Sequence, residues 1–475
     1  MTEEKDLSQV LCVNNPVKVI NSEEKQENNN AFQTKVYKRR WLMLCLFILY
    51  NGLSTFQWAQ YSIITNIVSR YYGVSSLAID WTSMTFMGYY VAFIFPATYF
   101  VNRWGLRWSN IVGCGVACIG SWIKVLSVSP DRFYVTFIGQ SLVASIQTLV
   151  LMMPGRLAAQ WFDSNQVSTA TSLSIFGNQM GVAICFLLTP MIVKNHENLD
   201  DIGVGLSRLF WHQAILITIV FLFIVILFED DPKLPPSETR AMQKLTQLEL
   251  DESVLDSIKK LCKNKQFLLL CNSYGLGIGV VNVTGTLLNQ IYVTHFENGE
   301  EDAGRIGLAM VLMGMLGSVS FGVIVDKTHK YKETTVIVYF LALCGQVFFS
   351  LSTYFEIKWM VYLSAIFLGY FMVGYFALGY EMCAEYTYPE SEGTTGGILN
   401  VTNNLYGMVL VLIMGRLIEE YGDVPVHVGL FVTLLVGFVI TVLTKNVKRR
   451  QDAKRNAAQY VGVNQSDENG ECERS

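Results

Sequence analysis

The stretch from Asn51 to Asn66 (NGLSTFQWAQYSIITN) carries chemistry that its surroundings do not call for. It sits in the first long apolar segment, where lipid contact favours Leu, Val and Ile. Instead it holds Gln57, Trp58, Gln60, Tyr61 and several hydroxyls, with no formal charge. On a helix, Ser54, Trp58, Tyr61, Ser62 and Thr65 fall on one face by i, i+3 and i+4 spacing. An uncharged face of rings and amides at membrane depth fits a site that holds a cation without a carboxylate. The competing reading is an interfacial Trp with hydrogen bonds between helices.

Three further amides reach the middle of apolar segments: Gln147, Asn282 and Asn404. Buried amides need partners, which neighbouring helices or a ligand can supply. Trp58, Gln147, Asn282 and Asn404 are therefore the candidate substrate contacts, with Gln57, Gln60, Tyr61 and Gln179 as a second tier. Ionisable residues inside spans are functional suspects, and here they crowd the ends. Asp80 opens the second span, Lys124 and Arg416 close the third and eleventh, Arg156 closes the fourth, and Glu381 and Glu385 close the tenth. They read as gates and inter-helix ion pairs. A proton-coupling role for Glu381 or Glu385 is the alternative. The five histidines, His196, His212, His295, His329 and His427, are placed in loops or at helix ends. No nucleophile–His pair, phosphate loop or metal spacing occurs, so neither an enzyme nor a cofactor is expected.

The elements that must position these residues follow from composition. Of 475 residues, 51% are hydrophobic and only 16% charged, against about 25% charged in soluble chains. A spanning helix needs about 20 apolar residues. Twelve stretches qualify, at 41–67, 81–101, 108–126, 133–157, 167–193, 209–228, 266–293, 305–325, 334–353, 358–382, 394–418 and 425–445. Most of the 35 Lys and Arg residues fall in the N-terminal arm, the loops on its side and the C-terminal tail. Positive residues stay inside, so both termini are expected in the cytoplasm. The net charge of −4 does not bear on orientation. The ten cysteines avoid the expected external loops, so no disulfide framework is implied, and no cleavable signal peptide is expected.

Residues 1–40 form a polar arm and 447–475 a polar tail, both expected to be disordered. A linker at 229–265 separates two six-span halves, 41–228 and 266–446. A weak internal repeat relates them. Asn102-Arg103-Trp104-Gly105-Leu106-Arg107 follows the second span, and Asp326-Lys327-Thr328-His329-Lys330 follows the eighth, 224 residues later. Residues 168–181 overlay 394–407 at a shift of 226, pairing Asn178 with Asn404. At the shift of 224, Trp58 pairs with Asn282. The organisation is that of the major facilitator superfamily: an all-α membrane protein of twelve helices in two pseudo-symmetric halves. Asn102 replaces the acidic residue usual in the first copy of its loop signature. Asn102, Arg103, Arg156, Asp326, Asp80, Glu381 and Glu385 are accordingly assigned to gating.

Longer stretches resemble the feline leukaemia virus subgroup C receptor family, a branch of that superfamily. They include Phe56-Gln57-Trp58-Ala59-Gln60-Tyr61-Ser62-Ile63, Gly177-Asn178-Gln179-Met180-Gly181, Thr286-Leu287-Leu288-Asn289-Gln290 and Thr387-Tyr388-Pro389-Glu390-Ser391-Glu392-Gly393-Thr394. The resemblance implies alternating-access transport of choline and ethanolamine; haem export has also been attributed to the family. It implies a substrate cage containing Trp58 and Gln147. It also implies a Tyr at 282 and a Gln at 404, where this chain has Asn282 and Asn404. The expectation is a facilitative carrier of choline or a related amino alcohol, working as a monomer in the plasma membrane. Its partners are a small amine and the bilayer, with no nucleic acid. A haem or porphyrin exporter and a non-transporting receptor or scaffold are the alternatives.

Overall fold

The structure, a computed structural model, describes residues 35–163, 166–232, 234–236, 254–388, 390, 392–447, 449 and 451. Most of the expected arm and tail, and the middle of the linker, lie outside the described residues. The first crossing combines α1 (Arg40–Ala59), a 3₁₀ turn (Ser62–Ile64) and α2 (Thr65–Tyr72). There follow α3 (Ser76–Val125), α4 (Phe133–Trp161), α5 (Val167–Ile192) and α6 (Leu199–Leu227). The linker contains the short helix α7 (Val254–Lys263). The second half holds α8 (Lys265–His295), α9 (Glu300–Thr328), α10 (Tyr331–Tyr354), α11 (Lys358–Thr387), α12 (Glu392–Tyr421) and α13 (Asp423–Leu443).

Among the described residues, eleven helical segments are long and apolar enough to cross a membrane. One of them is two crossings. A straight helix of the 50 residues in α3 would be about 75 Å long, more than twice the ~30 Å hydrocarbon core. It breaks at Gly105, whose φ is 74°, so twelve crossings result. Exposed side chains such as Ile226, Val319 and Val428 give the bundle an apolar exterior suited to lipid.

The break explains why the linker starts with acid. Span three begins just after Gly105, with unpaired backbone N–H groups and the positive end of its dipole. Asp230 accepts from the N–H of Leu106 at 2.6 Å and of Arg107 at 3.2 Å. A Cβ on Gly105 would overlap that carboxylate, and its left-handed φ is strained for any L side chain. Nearby, Arg156 donates to Asn102 Oδ1 at 2.7 Å. Arg103 is exposed. The side chain of Asp326 lies outside the described residues.

Several expected boundaries move. The sixth span starts at Leu199, not 209. Asn198 caps it by accepting from the Asp200 N–H, with Asp200 and Asp201 in the first turn. His212 thereby sits well inside α6, where its Nδ1 meets the Arg208 carbonyl. His427 is buried near the start of α13 beside Ser350 and Asp423, so the placement of the histidines in loops or at helix ends fails for His212. The eight described cysteines are all free.

The halves meet through α5 against α9 and α3 against α12. Gly304 of α9 makes one approach possible, because a Cβ there would strike the Phe186 carbonyl of α5. Gly105→Ala is expected to cost about 1–3 kcal/mol and to lower the thermal midpoint of detergent-solubilised protein. Asp230→Ala removes the cap as well as the colliding group, so the double variant should lose less than the two single losses added together. A midpoint unchanged by Gly105→Ala would contradict this account of the break.

Candidate functional site

A cavity of about 240 Å³ lies between the halves. Its wall carries seven side-chain amides, from Gln147, Asn178, Gln179, Asn282, Asn400, Asn403 and Asn404. Five aromatic residues, Trp58, Phe86, Tyr90, Phe186 and Phe376, share it, and no lining residue bears a formal charge. Four of the candidate contacts, Trp58, Gln147, Asn282 and Asn404, therefore meet at one cavity, and Gln179 joins them.

The amides are held by the helices that carry them. Gln147 of α4 is tied to α1 at both ends: Ser54 donates to its Oε1 at 2.7 Å, and its Nε2 donates to Thr55 Oγ1 at 3.3 Å. Asn178 of α5 donates to the same hydroxyl at 2.7 Å and to Asn51 Oδ1 at 3.0 Å. In the other half, Asn282 donates through Nδ2 to Asn403 Oδ1 at 3.1 Å. Its carbonyl oxygen remains as an acceptor. Asn404 Nδ2 bonds the carbonyl of Asn400, one turn back on α12. The Trp58 indole lies against α8 at Gly285, where a Cβ would stand 3.5 Å from the ring. Asn282 is one turn from that contact.

Gln57, Gln60 and Tyr61 do not line the cavity. All three are at most 1% exposed and face other helices of the first half. The helical face drawn through Ser54, Trp58, Tyr61, Ser62 and Thr65 does not survive, because α1 ends at Ala59 and the chain turns through a 3₁₀ segment. Lys124 does lie in the last turn of α3, as expected, but not as a gate or, among the described residues, one half of an ion pair. It is fully buried, with its ammonium on the side-chain oxygens of Gln57 and Gln140. Sequence reasoning missed Asn178, Asn400 and Asn403 as wall residues. The repeat had paired Asn178 with Asn404, and Asn400, Asn403 and Asn404 recur at i, i+3 and i+4, so the signals existed.

Polar contacts between the halves gather on the side opposite the described chain ends. Asp80, itself buried, accepts from Gln290 at 2.8 Å. Glu300 accepts from Asn66 at 2.6 Å and Asn195 at 2.9 Å. Glu419 accepts from the Leu77 N–H at 2.7 Å, and Lys194 faces Glu301 at 3.8 Å. This set forms a seal above the cavity. Of this set the sequence had singled out only Asp80. On the terminal side Glu385 is buried and accepts from the Gln451 N–H at 3.4 Å, while Glu381 is half-buried and has partners of its own.

Twelve crossings in two halves, around an uncharged midplane cavity sealed on one side, define a membrane carrier rather than an enzyme. Residues 42–411 match the model of the Major Facilitator Superfamily. The chain is 40% identical to the choline/ethanolamine transporter flvcr2a of Danio rerio, over 90% of this chain and 91% of that one. It is 39% identical to the choline/ethanolamine transporter FLVCR2 of Homo sapiens, over 89% and 80%. Among solved structures, the D-xylose-proton symporter superposes with a TM-score of 0.66 at 12% identity, covering 86% of this chain and 97% of that one. A bacterial homologue of the human lysosomal transporter Spinster gives 0.64 at 13% identity, covering 86% and 96%. At such identities these two show the fold alone. The chain belongs to the major facilitator superfamily and, within it, to the feline leukaemia virus subgroup C receptor family.

The seal makes a prediction. Glu300→Ala strips Asn66 and Asn195 of a shared charged acceptor, and each such bond is worth about 1.5–3 kcal/mol. States open on that side should gain population at least tenfold. A Thr284→Cys reporter in the cavity should then label faster with an impermeant maleimide added from that side. Equal labelling rates would contradict the assignment.

Proposed function

We propose that this chain moves a small organic ammonium ion, choline, ethanolamine or a related amino alcohol, by alternating access. The observation that carries the reading is the cavity wall: one indole and several amides from both halves, without a carboxylate, histidine or basic side chain. The charge of such a substrate is met by ring faces and amide oxygens. A desolvated cation–π contact contributes about 0.5–2 kcal/mol, and Trp58 offers the largest face. Gln147 and Asn178 supply hydrogen-bonding groups for a hydroxyl. With no carboxylate or histidine on the wall to carry a coupling proton, the carrier is read as facilitative and uncoupled. The relatives named above, both choline/ethanolamine transporters, support the substrate class.

No histidine is among the residues lining the cavity, which argues against a haem cargo held by an axial imidazole. A scaffold role leaves the converging amides without a purpose. The carrier is proposed to act as a monomer in the plasma membrane, with both termini cytoplasmic. Trp58, Gln147, Asn282, Asn404 and Gln179 are proposed as substrate contacts. Asp80, Asn102, Arg103, Arg156, Asp326, Glu381 and Glu385 are proposed to set the balance between states.

Asn282 bears on preference within the class. A quaternary ammonium has no N–H to donate, whereas a primary ammonium has three. The free acceptor oxygen of Asn282 favours the primary ion, so this carrier is proposed to lean towards ethanolamine. In competition uptake, ethanolamine should displace label at lower concentration than choline, and Asn282→Tyr should shift the ratio towards choline several-fold. Strong choline preference that Asn282→Tyr leaves unchanged would overturn the lean. The reading as a whole rests on Trp58→Ala, which should abolish saturable uptake of both amines while surface expression persists. Normal uptake by that variant would end it.

A further inference from the structure

Outside the cavity, the first half contains a second polar cluster, closed to solvent. Its centre is Lys124 near the end of α3, with 0% exposure. A buried ammonium is costly unless its donors are met. Among the described residues no carboxylate lies within ion-pair distance of it. Its Nζ instead donates to Gln57 Oε1 and, at 2.8 Å, to Gln140 Oε1. The Tyr61 ring takes the remaining direction, with its centroid 5.9 Å away.

These bonds fix how the two glutamines point. With both oxygens on the ammonium, the amide nitrogens must face away from it. Gln57 Nε2 donates to Ser121 at 3.1 Å, and Gln140 Nε2 donates to the backbone carbonyl of Gln57 at 2.7 Å. Gln213 donates to Gln60 at 2.5 Å, and Gln60 to Gln140 at 3.4 Å. Each side chain in the chain Gln213–Gln60–Gln140 thus has one orientation that suits its neighbours.

The cluster surrounds the place where α1 stops. A continuous helix would pair the carbonyls of Gln57 and Trp58 with N–H groups four residues on. The helix ends at Ala59, and the next segment is 3₁₀. Gln140 occupies the Gln57 carbonyl. Ser83 occupies that of Trp58 at 3.1 Å, and Ser62, in the 3₁₀ segment, bonds the same Ser83 at 2.6 Å. The side chains that satisfy the broken backbone are thus those that Lys124 orients, plus Ser83. Glycines bring the parts together: a Cβ at Gly139 would run into the Gly120 carbonyl and the Lys124 stem.

We propose that Lys124 is a positioning residue for the substrate site: through Gln57 and Gln140 it holds the helix break that sets the Trp58 indole in the cavity. The inference rests on Trp58 being a substrate contact, as read above. Lys124 itself does not touch the cavity. Its side chain acts as a two-pronged clamp, a role that an apolar side chain filling the same space could not perform.

The test measures saturable amine uptake by the full-length carrier in cells, normalised to surface protein. Lys124→Met keeps the stem and removes the donors. Ser83→Ala removes a hydroxyl from the same break and serves where Lys124→Met fails to reach the surface. Each is expected to raise KM about tenfold with maximal rate kept within about twofold, the signature of lost binding rather than lost protein. Combined with Trp58→Phe, either should add much less than its own effect, because coupled residues are not additive. An unchanged KM in these variants, or independent effects with Trp58→Phe, overturns the positioning role. If Trp58→Ala also leaves uptake normal, the fault lies in the site reading itself, so the two failures are distinguishable.

Discussion

In a bilayer a backbone carbonyl released from its helix has no water to turn to. That constraint governs the first half of this protein. The substrate-side indole sits one residue before a helix end, so two carbonyls lose their ordinary partners at the middle of the membrane. Everything polar and closed around them, Gln140, Ser83, Gln57, Ser121 and Lys124, answers that need. The break in turn frees the direction of span one, so that Trp58 faces the cavity while Tyr61 faces Phe210 and Lys124.

Polar residues in the same stretch therefore belong to three different places. Asn51, Ser54 and Thr55 precede the break and tie α1 to the cavity-wall amides Gln147 and Asn178. Gln57 and Gln60 lie on the closed cluster. Asn66, past the break, ends in the seal on Glu300. One crossing thus touches the wall, the clamp and the gate in turn. Motion of its upper part, Thr65 to Tyr72, relative to α1 is mechanically connected to both the seal and the indole.

This division explains which parts of the site were legible in the sequence. Twelve spans and two halves follow from hydropathy and loop charge, because lipid imposes them on every crossing. Trp58, Gln147, Asn282 and Asn404 were found because a polar group at mid-span stands out. Tyr61 was placed on the Trp58 face by helical periodicity, which fails where the helix does, and Gln57 and Gln60 were assigned to the site only as polar neighbours of Trp58 in the same stretch. No Pro or Gly stands between Trp58 and Thr65 to announce the break. It is stabilised by Ser83 and Gln140, residues remote in sequence. Lys124 was rightly read as a helix-end residue, but its amide partners come from α1 and α4, which its position on α3 does not announce. Gly105 was visible as a loop residue, but its partner Asp230 lies 125 positions away.

The halves also differ in how they hold their amides, and the difference has a consequence for selectivity. On the first-half wall, Gln147 and Asn178 are locked onto α1 hydroxyls and amides, so their directions are set before substrate arrives. On the second-half wall, Asn282 donates once to Asn403, and Asn404 donates only to its own helix. Their carbonyl oxygens are available to a ligand. A cation between the two walls then meets a fixed face containing Trp58 on one side and acceptors on the other. An ammonium with N–H groups can use both; a fully methylated one can use only the ring and weak dipole attraction. On the function proposed above, preference between them is set by the second-half wall, and binding of any of them by the position of Trp58 beside the break in span one.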